Sequence, residues 1–165
     1  MSVERGFSHF DQSGKAQMVD VGQKPESQRV AVAVCRMHLR STTLDLIRQG
    51  TIDKGDVLGI SRVAGIMAAK KTADLIPLCH YLAISSAAIN FEFLDAEHLE
   101  IRAQVTANDR TGVEMESLTS VAIAALTIYD MCKSVDREIK IVYLGLESKS
   151  GGKSGDFKRG CGTDE

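Results

Sequence analysis

Residues 83–105, AISSAAINFEFLDAEHLEIRAQV, decide the fold. Ala83 to Phe93 and Leu99 to Val105 alternate apolar and polar side chains, the period of half-buried strands, and Leu94–His98 between them has the length of a hairpin connection. Directly downstream, Thr111 to Val135 (TGVEMESLTSVAIAALTIYDMCKSV) changes to a helical period, with Leu118, Val121, Ala122, Ala125, Ile128, Cys132 and Val135 apolar. Upstream, Arg29 to Met37 is a strand with Val30, Val32 and Val34 on one face, and Ser41 caps a short helix ending at Gly50. The run KGDVLGISRVAGIMAAKKTADLI (54–76) carries Val57, Ile60, Val63, Ala64, Met67 and Ala68 at helical spacing, and Pro77 limits that helix. Glu138 to Leu146 forms the last strand. The first ten to fifteen residues are expected to be loose, and residues 149–165 form a glycine- and lysine-rich segment without period. The order strand, helices, two strands, helix, strand predicts a single α+β domain over residues 1–165: a ferredoxin-like, or split βαβ, antiparallel sheet with its helices on one face.

Composition bounds the function. In 165 residues, 44% hydrophobic and 25% charged side chains describe an ordinary globular chain, and 5% aromatic content without Trp predicts a core of Ala, Ile, Leu and Val suited to close helix packing. A net charge of −2 gives no general attraction to nucleic acid or anionic membrane, and the basic stretches lack interleaved aromatics. Cys35, Cys79, Cys132 and Cys161 are scattered without metal-ligand spacing, which predicts neither a disulfide framework nor a metal site. No leader or membrane-spanning run is legible, so the chain reads as soluble and cytoplasmic.

The long apolar helix carries polar residues where core side chains are expected: Glu116, Thr119, Thr127, Asp130 and Lys133 fall close to one side. Asp130 and Lys133, three residues apart, form an ion pair. On so apolar a helix the pair is expected to be partly desolvated and tuned for proton transfer rather than a wet surface bridge. Lys54-Gly55-Asp56 lies at the mouth of a helix, where free N–H groups favour an anion. His80 follows the bend Pro77-Leu78-Cys79, which holds a side chain at a fixed place. Lys149 to Gly155 (KSGGKSG) is not a Walker loop, because Glu147 occupies the position of the first glycine, yet its glycines and lysines suit a phosphate group.

Four blocks, MVDVGQKPESQR (18–29), KGDVLGISRVAGIMAAKKTADLIPLCH (54–80), TGVEMESLTSVAIAALTIYDMCKSVD (111–136) and KSGGKSGDF (149–157), closely resemble the cyclic pyranopterin monophosphate synthase family, accessory protein C of molybdenum cofactor biosynthesis. The resemblance covers about Ser8 to Arg159. It implies a lyase that converts (8S)-3′,8-cyclo-7,8-dihydroguanosine 5′-triphosphate into cyclic pyranopterin monophosphate and diphosphate, in a homohexamer, a trimer of dimers, with its active sites at dimer interfaces. By resemblance, Asp130 is the acid/base with Lys133 tuning it, and Lys54 and His80 bind or protonate the substrate. Leu78, Cys79, His80, Met115 and Glu116 belong to substrate-binding elements, Lys149 is placed for the phosphates or for proton transfer, and Lys24, Arg29, Lys70 and Lys153 are further candidates for the triphosphate. No redox cofactor is implied, and Mg2+ enters only as a companion of the triphosphate or diphosphate. Two positions depart from the family: Tyr81, where proline is usual, loosens the expected hold on His80, and Asp109 stands where glycine is usual. A nucleotide-binding module without catalysis is the alternative.

Overall fold

The computed structural model describes residues 13–153 and 155–160. Its central strand is β1 (Ser27–His38), followed by α1 (Ser41–Gln49), α2 (Val57–Lys70), α3 (Thr72–Leu75), β2 (Ile84–Phe93), β3 (His98–Asp109), α4 (Glu114–Cys132), β4 (Lys140–Ser150) and β5 (Phe157–Lys158). β1 pairs antiparallel with β3 on one side and β4 on the other, and the sheet order is β2-β3-β1-β4-β5. This is the ferredoxin-like α+β arrangement, extended at one edge by β5. Residues 1–12, most of the segment expected to be loose, lie outside the described residues.

The helices pack on the face of β1 that carries Ala33, Cys35 and Met37, not on the valine face. Small side chains win there because α4 comes close: its Val121, Ala124, Ala125 and Ile128 share one buried cluster with Leu44 and Ile47 of α1, Ile89 of β2 and Ile101 and Ala103 of β3. Burial lifts the Cys35 thiol to about 12, which leaves it an unreactive space-filler. The valine side of the sheet instead carries an ion-pair network. Glu100, 5% exposed, accepts from Arg36 and Arg102, and Arg102 also pairs with Glu147.

α2 crosses α4 at Gly65, whose carbonyl accepts a 2.7 Å hydrogen bond from Ser120 Oγ. A Cβ at Gly65 would lie 2.4 Å from Ile89 Cδ1 and 2.9 Å from the Ser120 carbonyl, so only glycine fits this approach. The same placement leaves Ile60, Val63 and Met67 of α2 exposed, although their spacing marks them as a core face in the sequence. α2 also ends sooner than Pro77 requires, at a break on Lys71, and α3 carries the chain to Leu75.

The starts of α1 and α2 both differ from the sequence expectation. Ser41 is the first residue of α1 and not its cap; Arg40 holds the cap position and offers no side-chain acceptor, while Gly50 closes the other end at φ 66° as expected. Asp56 caps α2 by accepting from the Gly59 N–H at 2.8 Å. The helix mouth read as an anion site is thus occupied by the protein's own carboxylate.

Candidate active site

Asp130 lies on the last turn of α4, where Lys133 Nζ meets its Oδ1 at 2.7 Å. Lys54, on the loop between α1 and α2, completes the group: its Nζ donates to the Asp130 carbonyl at 2.7 Å and lies 3.5 Å from Oδ2. The hydrogen bond and charge of Lys133, followed by the charge of Lys54, hold the Asp130 carboxyl below its ordinary range, and Asp130 in turn raises Lys133. In the single chain all three side chains are open to solvent, Asp130 at 61%, so the desolvation expected from the apolar helix is absent. The supposed polar stripe therefore divides. Glu116 and Thr119 are buried, while the paired Asp130 and Lys133 are exposed at the other end.

Glu116 belongs to a second cluster, at the start of α4. Burial foremost, opposed by a backbone hydrogen bond and reinforced by the charges of Glu114 and Asp109, pushes its carboxyl up to about 7. It lies near the bend after α3, where burial of the Cys79 thiol first, and the Glu116 charge second, raise that thiol above its ordinary range. Leu78, Cys79 and His80 are half-buried there, and Met115 beside Glu116 is exposed. His80 keeps a defined orientation despite Tyr81: its Nε2–H donates to the Val19 carbonyl at 2.8 Å, and the Tyr81 hydroxyl donates to Asp74 at 2.6 Å.

A cavity of ≈820 Å3 opens beside the same end of α4, lined by Lys24, Arg29, Arg110, Lys149 and Lys153, with Glu114 the acid among them. Lys149 Nζ meets Glu114 Oε1 at 3.0 Å. Arg29 is 8% exposed; its Nε and Nη2 donate to the carbonyls of Asp109 and Arg110 at 3.1 and 3.2 Å. The turn at Asp109 needs no positive φ, because no described non-glycine residue has one, and the Asp109 carboxylate accepts from the Arg110 N–H. Gly151 and Gly152, at φ 90° and 86°, lie against β1 so closely that a Cβ on Gly152 would fall 1.4 Å from Arg29 Nη1. The segment beyond is not a free tail. β5 pairs with β4, and Arg159 donates from its backbone N to the Glu147 carbonyl and from Nε to that of Leu146.

The structure thus gathers Lys24, Arg29, Lys149 and Lys153 around one cavity and Lys54, Asp130 and Lys133 at the opposite end of α4. Lys70, exposed at the end of α2, joins neither group. Glu114 and Arg110 were not singled out as cavity residues by sequence, because their partners lie dozens of residues away. Among the described residues no group of three or more His, Cys, Asp or Glu side chains is placed to hold a metal ion. No described helix is long and apolar enough to cross a membrane.

Fold and site together define a ferredoxin-like protein with a carboxylate–lysine group at one end of α4 and a lysine-lined cavity at the other. The chain belongs to the MoaC family, whose profile matches residues 18–152. It is 55% identical over 154 residues to the cyclic pyranopterin monophosphate synthase of Chloroflexus aggregans, covering 93% of each chain. It is 54% identical to that of Thermomicrobium roseum, again over 93% of each chain, and 51% identical to that of Brevibacillus brevis over 93% of this chain and 96% of the relative.

Proposed function

We propose that this chain is a cyclic pyranopterin monophosphate synthase of molybdenum cofactor biosynthesis, a lyase that takes (8S)-3′,8-cyclo-7,8-dihydroguanosine 5′-triphosphate to cyclic pyranopterin monophosphate and diphosphate. The observation that carries this reading is the Asp130–Lys133–Lys54 group, an acid–base arrangement of the kind that the activity named for relatives matching nearly the whole chain calls for. Rebuilding the purine as a pterin moves several protons, which calls for a carboxylate and ammonium groups in contact. Asp130 takes and returns protons, and Lys133 and Lys54 stabilise its anionic form and supply protons in turn. His80, whose Nε2 is held on the Val19 carbonyl, binds or protonates the substrate, and Cys79, Leu78, Met115 and Glu116, whose carboxyl burial pushes up to about 7, line the base-binding side. Closing the cyclic phosphate expels diphosphate, whose charge the cavity lysines Lys24, Lys149 and Lys153 neutralise. Arg29 shapes that cavity from below. Magnesium accompanies the phosphates as their counter-ion, with no protein cage of its own.

The working site in this reading is built from two copies. Glu114 and Asp130 are separated by a rise of about 24 Å along α4, whereas a proton donor must come within about 3 Å of its target, so one chain cannot bring both ends to a single reacting centre. The exposed apolar side chains of α2 and α4, Ile60, Val63, Met67, Leu126 and Tyr129, supply a surface for pairing, which supports a homohexamer built as a trimer of dimers. A reducing, cytoplasmic location accords with Cys35, Cys79 and Cys132 being free. A non-catalytic nucleotide binder is not favoured.

The test follows diphosphate and cyclic pyranopterin monophosphate from purified protein given the cyclic dihydro-GTP substrate, with Asp130→Asn alongside. Wild type is expected to yield both products and the variant to lose about 100-fold or more in kcat. Tight binding of substrate by wild type without diphosphate release would sink the reading.

A further inference from the structure

Asp136, four residues beyond the end of α4, is 1% exposed and carries a carboxylate that no catalytic assignment uses. Its Oδ2 accepts from the Arg40 N–H at 2.9 Å and from Thr43 Oγ1 at 3.1 Å, and its Oδ1 accepts from the Glu138 N–H at 3.2 Å and meets Arg40 Nε at 3.2 Å. These donors come from two places. Arg40 is the cap residue of α1 and supplies no side-chain acceptor, and Thr43 lies in the first turn; Asp136 accepts the cap residue's own N–H from a distance, the bond that an acid at the third helical position makes in a capping box. The remaining bonds lie within the turn that leaves α4, where the N–H groups of Val135 and Asp136 both donate to the Cys132 carbonyl and the Arg40 guanidinium donates to the Val135 carbonyl.

The two elements so joined are the ones that carry the acid–base group. α4 presents Asp130 and Lys133 on its final turn. α1 leads through Gly50 and the buried Ile52 to Lys54, whose Nζ reaches back to the Asp130 carbonyl. All three side chains are open to solvent in the single chain, so their mutual distances depend on where the two backbones are held. Burial works against the Asp136 charge, but the Arg40, Glu138 and Thr43 donors and the Arg40 charge outweigh it and keep the carboxyl below its ordinary range.

We propose that Asp136 is a positioning residue for the reaction: by capping α1 and clamping the exit of α4 it sets Lys54 against Asp130 and Lys133. It touches no substrate. This inference rests on the synthase reading and on Asp130 belonging to the chemistry.

The experiment measures kcat and KM of the full-length protein carrying Asp136→Asn, in the wild-type and Lys54→Gln backgrounds, at steady state, and for the slowest variants the saturating single-turnover rate and half-saturating concentration with enzyme in excess, compared with wild type under the same conditions. A displaced catalytic group costs about 10- to 100-fold, so kcat is expected to fall by that factor while KM changes by less than about twofold. In the Lys54→Gln background the same substitution is expected to cost less than about threefold, because the contact it maintains is already gone. An equal loss in both backgrounds, or no loss in the first, overturns the proposal. If Asp136→Asn lacks a cooperative melt, Thr43→Val and Arg40→Met each remove part of the clamp, and they must show the same kcat-only loss and the same dependence on Lys54; their failure to do so overturns it equally. Asp130→Asn separates the two ideas. Undiminished activity there defeats the synthase mechanism, whereas an inactive Asp130→Asn beside an unimpaired Asp136→Asn defeats only the positioning role.

Discussion

Glu116 shows how one side chain sets a stability cost. It is 4% exposed and its carboxyl is pushed up to about 7 from an ordinary 4.5, so between these pH values the native chain keeps a proton that the unfolded chain has released. Stability therefore falls as pH rises through that window, and the cost is complete above it, at most about 3 kcal/mol. Glu116→Gln removes the titration. Thermal melts are expected to show the variant more stable than wild type at pH 8, with the difference closing toward pH 5; a pH-independent difference would show that the carboxyl is not held neutral. A loss of turnover in the stabilised variant is the expected trade for a site residue. Asp130 behaves oppositely at the same scale: its neighbours lower its pKa, so it stays charged through the neutral range and is free to accept a proton.

At the scale of elements, the crossing of α2 and α4 fixes the helical layer over the sheet. Gly65→Ala puts a methyl into Ile89 and into the Ser120 backbone, and the forced separation is expected to cost about 1–3 kcal/mol in urea denaturation. Ser120→Ala, which only removes the bond to the Gly65 carbonyl, is expected to cost about 1 kcal/mol. If the alanine at 65 proved the milder change, the crossing would be looser than it is drawn. The elements themselves were readable from sequence because each has a strong period: the 83–105 hairpin and the 111–135 helix emerged within a few residues of their observed limits. What could not be read is non-local. Val30, Val32 and Val34 alternate as perfectly as Ala31, Ala33 and Cys35, and only the close approach of α4 decides which set faces the helices. Ser41 is a plausible cap by type, yet the carboxylate serving that helix arrives from residue 136. β5, two residues long beyond a glycine turn, has no period to detect. The site followed the same rule: the i, i+3 pair Asp130–Lys133 was legible, whereas Lys54 meeting it, and Glu114 meeting Lys149, were set by the fold.

For the whole molecule, the separation of the two groups along α4 makes a specific claim about mixed assemblies. If each site takes Asp130 from one chain and Lys149 from its partner, inactive Asp130→Asn and Lys149→Ala proteins, dissociated together and reassembled, place both lesions in one site of a mixed dimer and none in the other. Random pairing should then restore activity to about one quarter of wild type. Recovery at the background level would place all the working residues in a single chain. If Ile60, Val63 and Met67, exposed on α2, join the subunits, catalysis acquires a dependence on quantity. Dilution would separate the subunits and empty each solution of complete sites, so turnover per milligram should decline below a threshold concentration and return when the protein is concentrated again. A cell making this protein sparsely would gain activity more steeply than in proportion to each added chain.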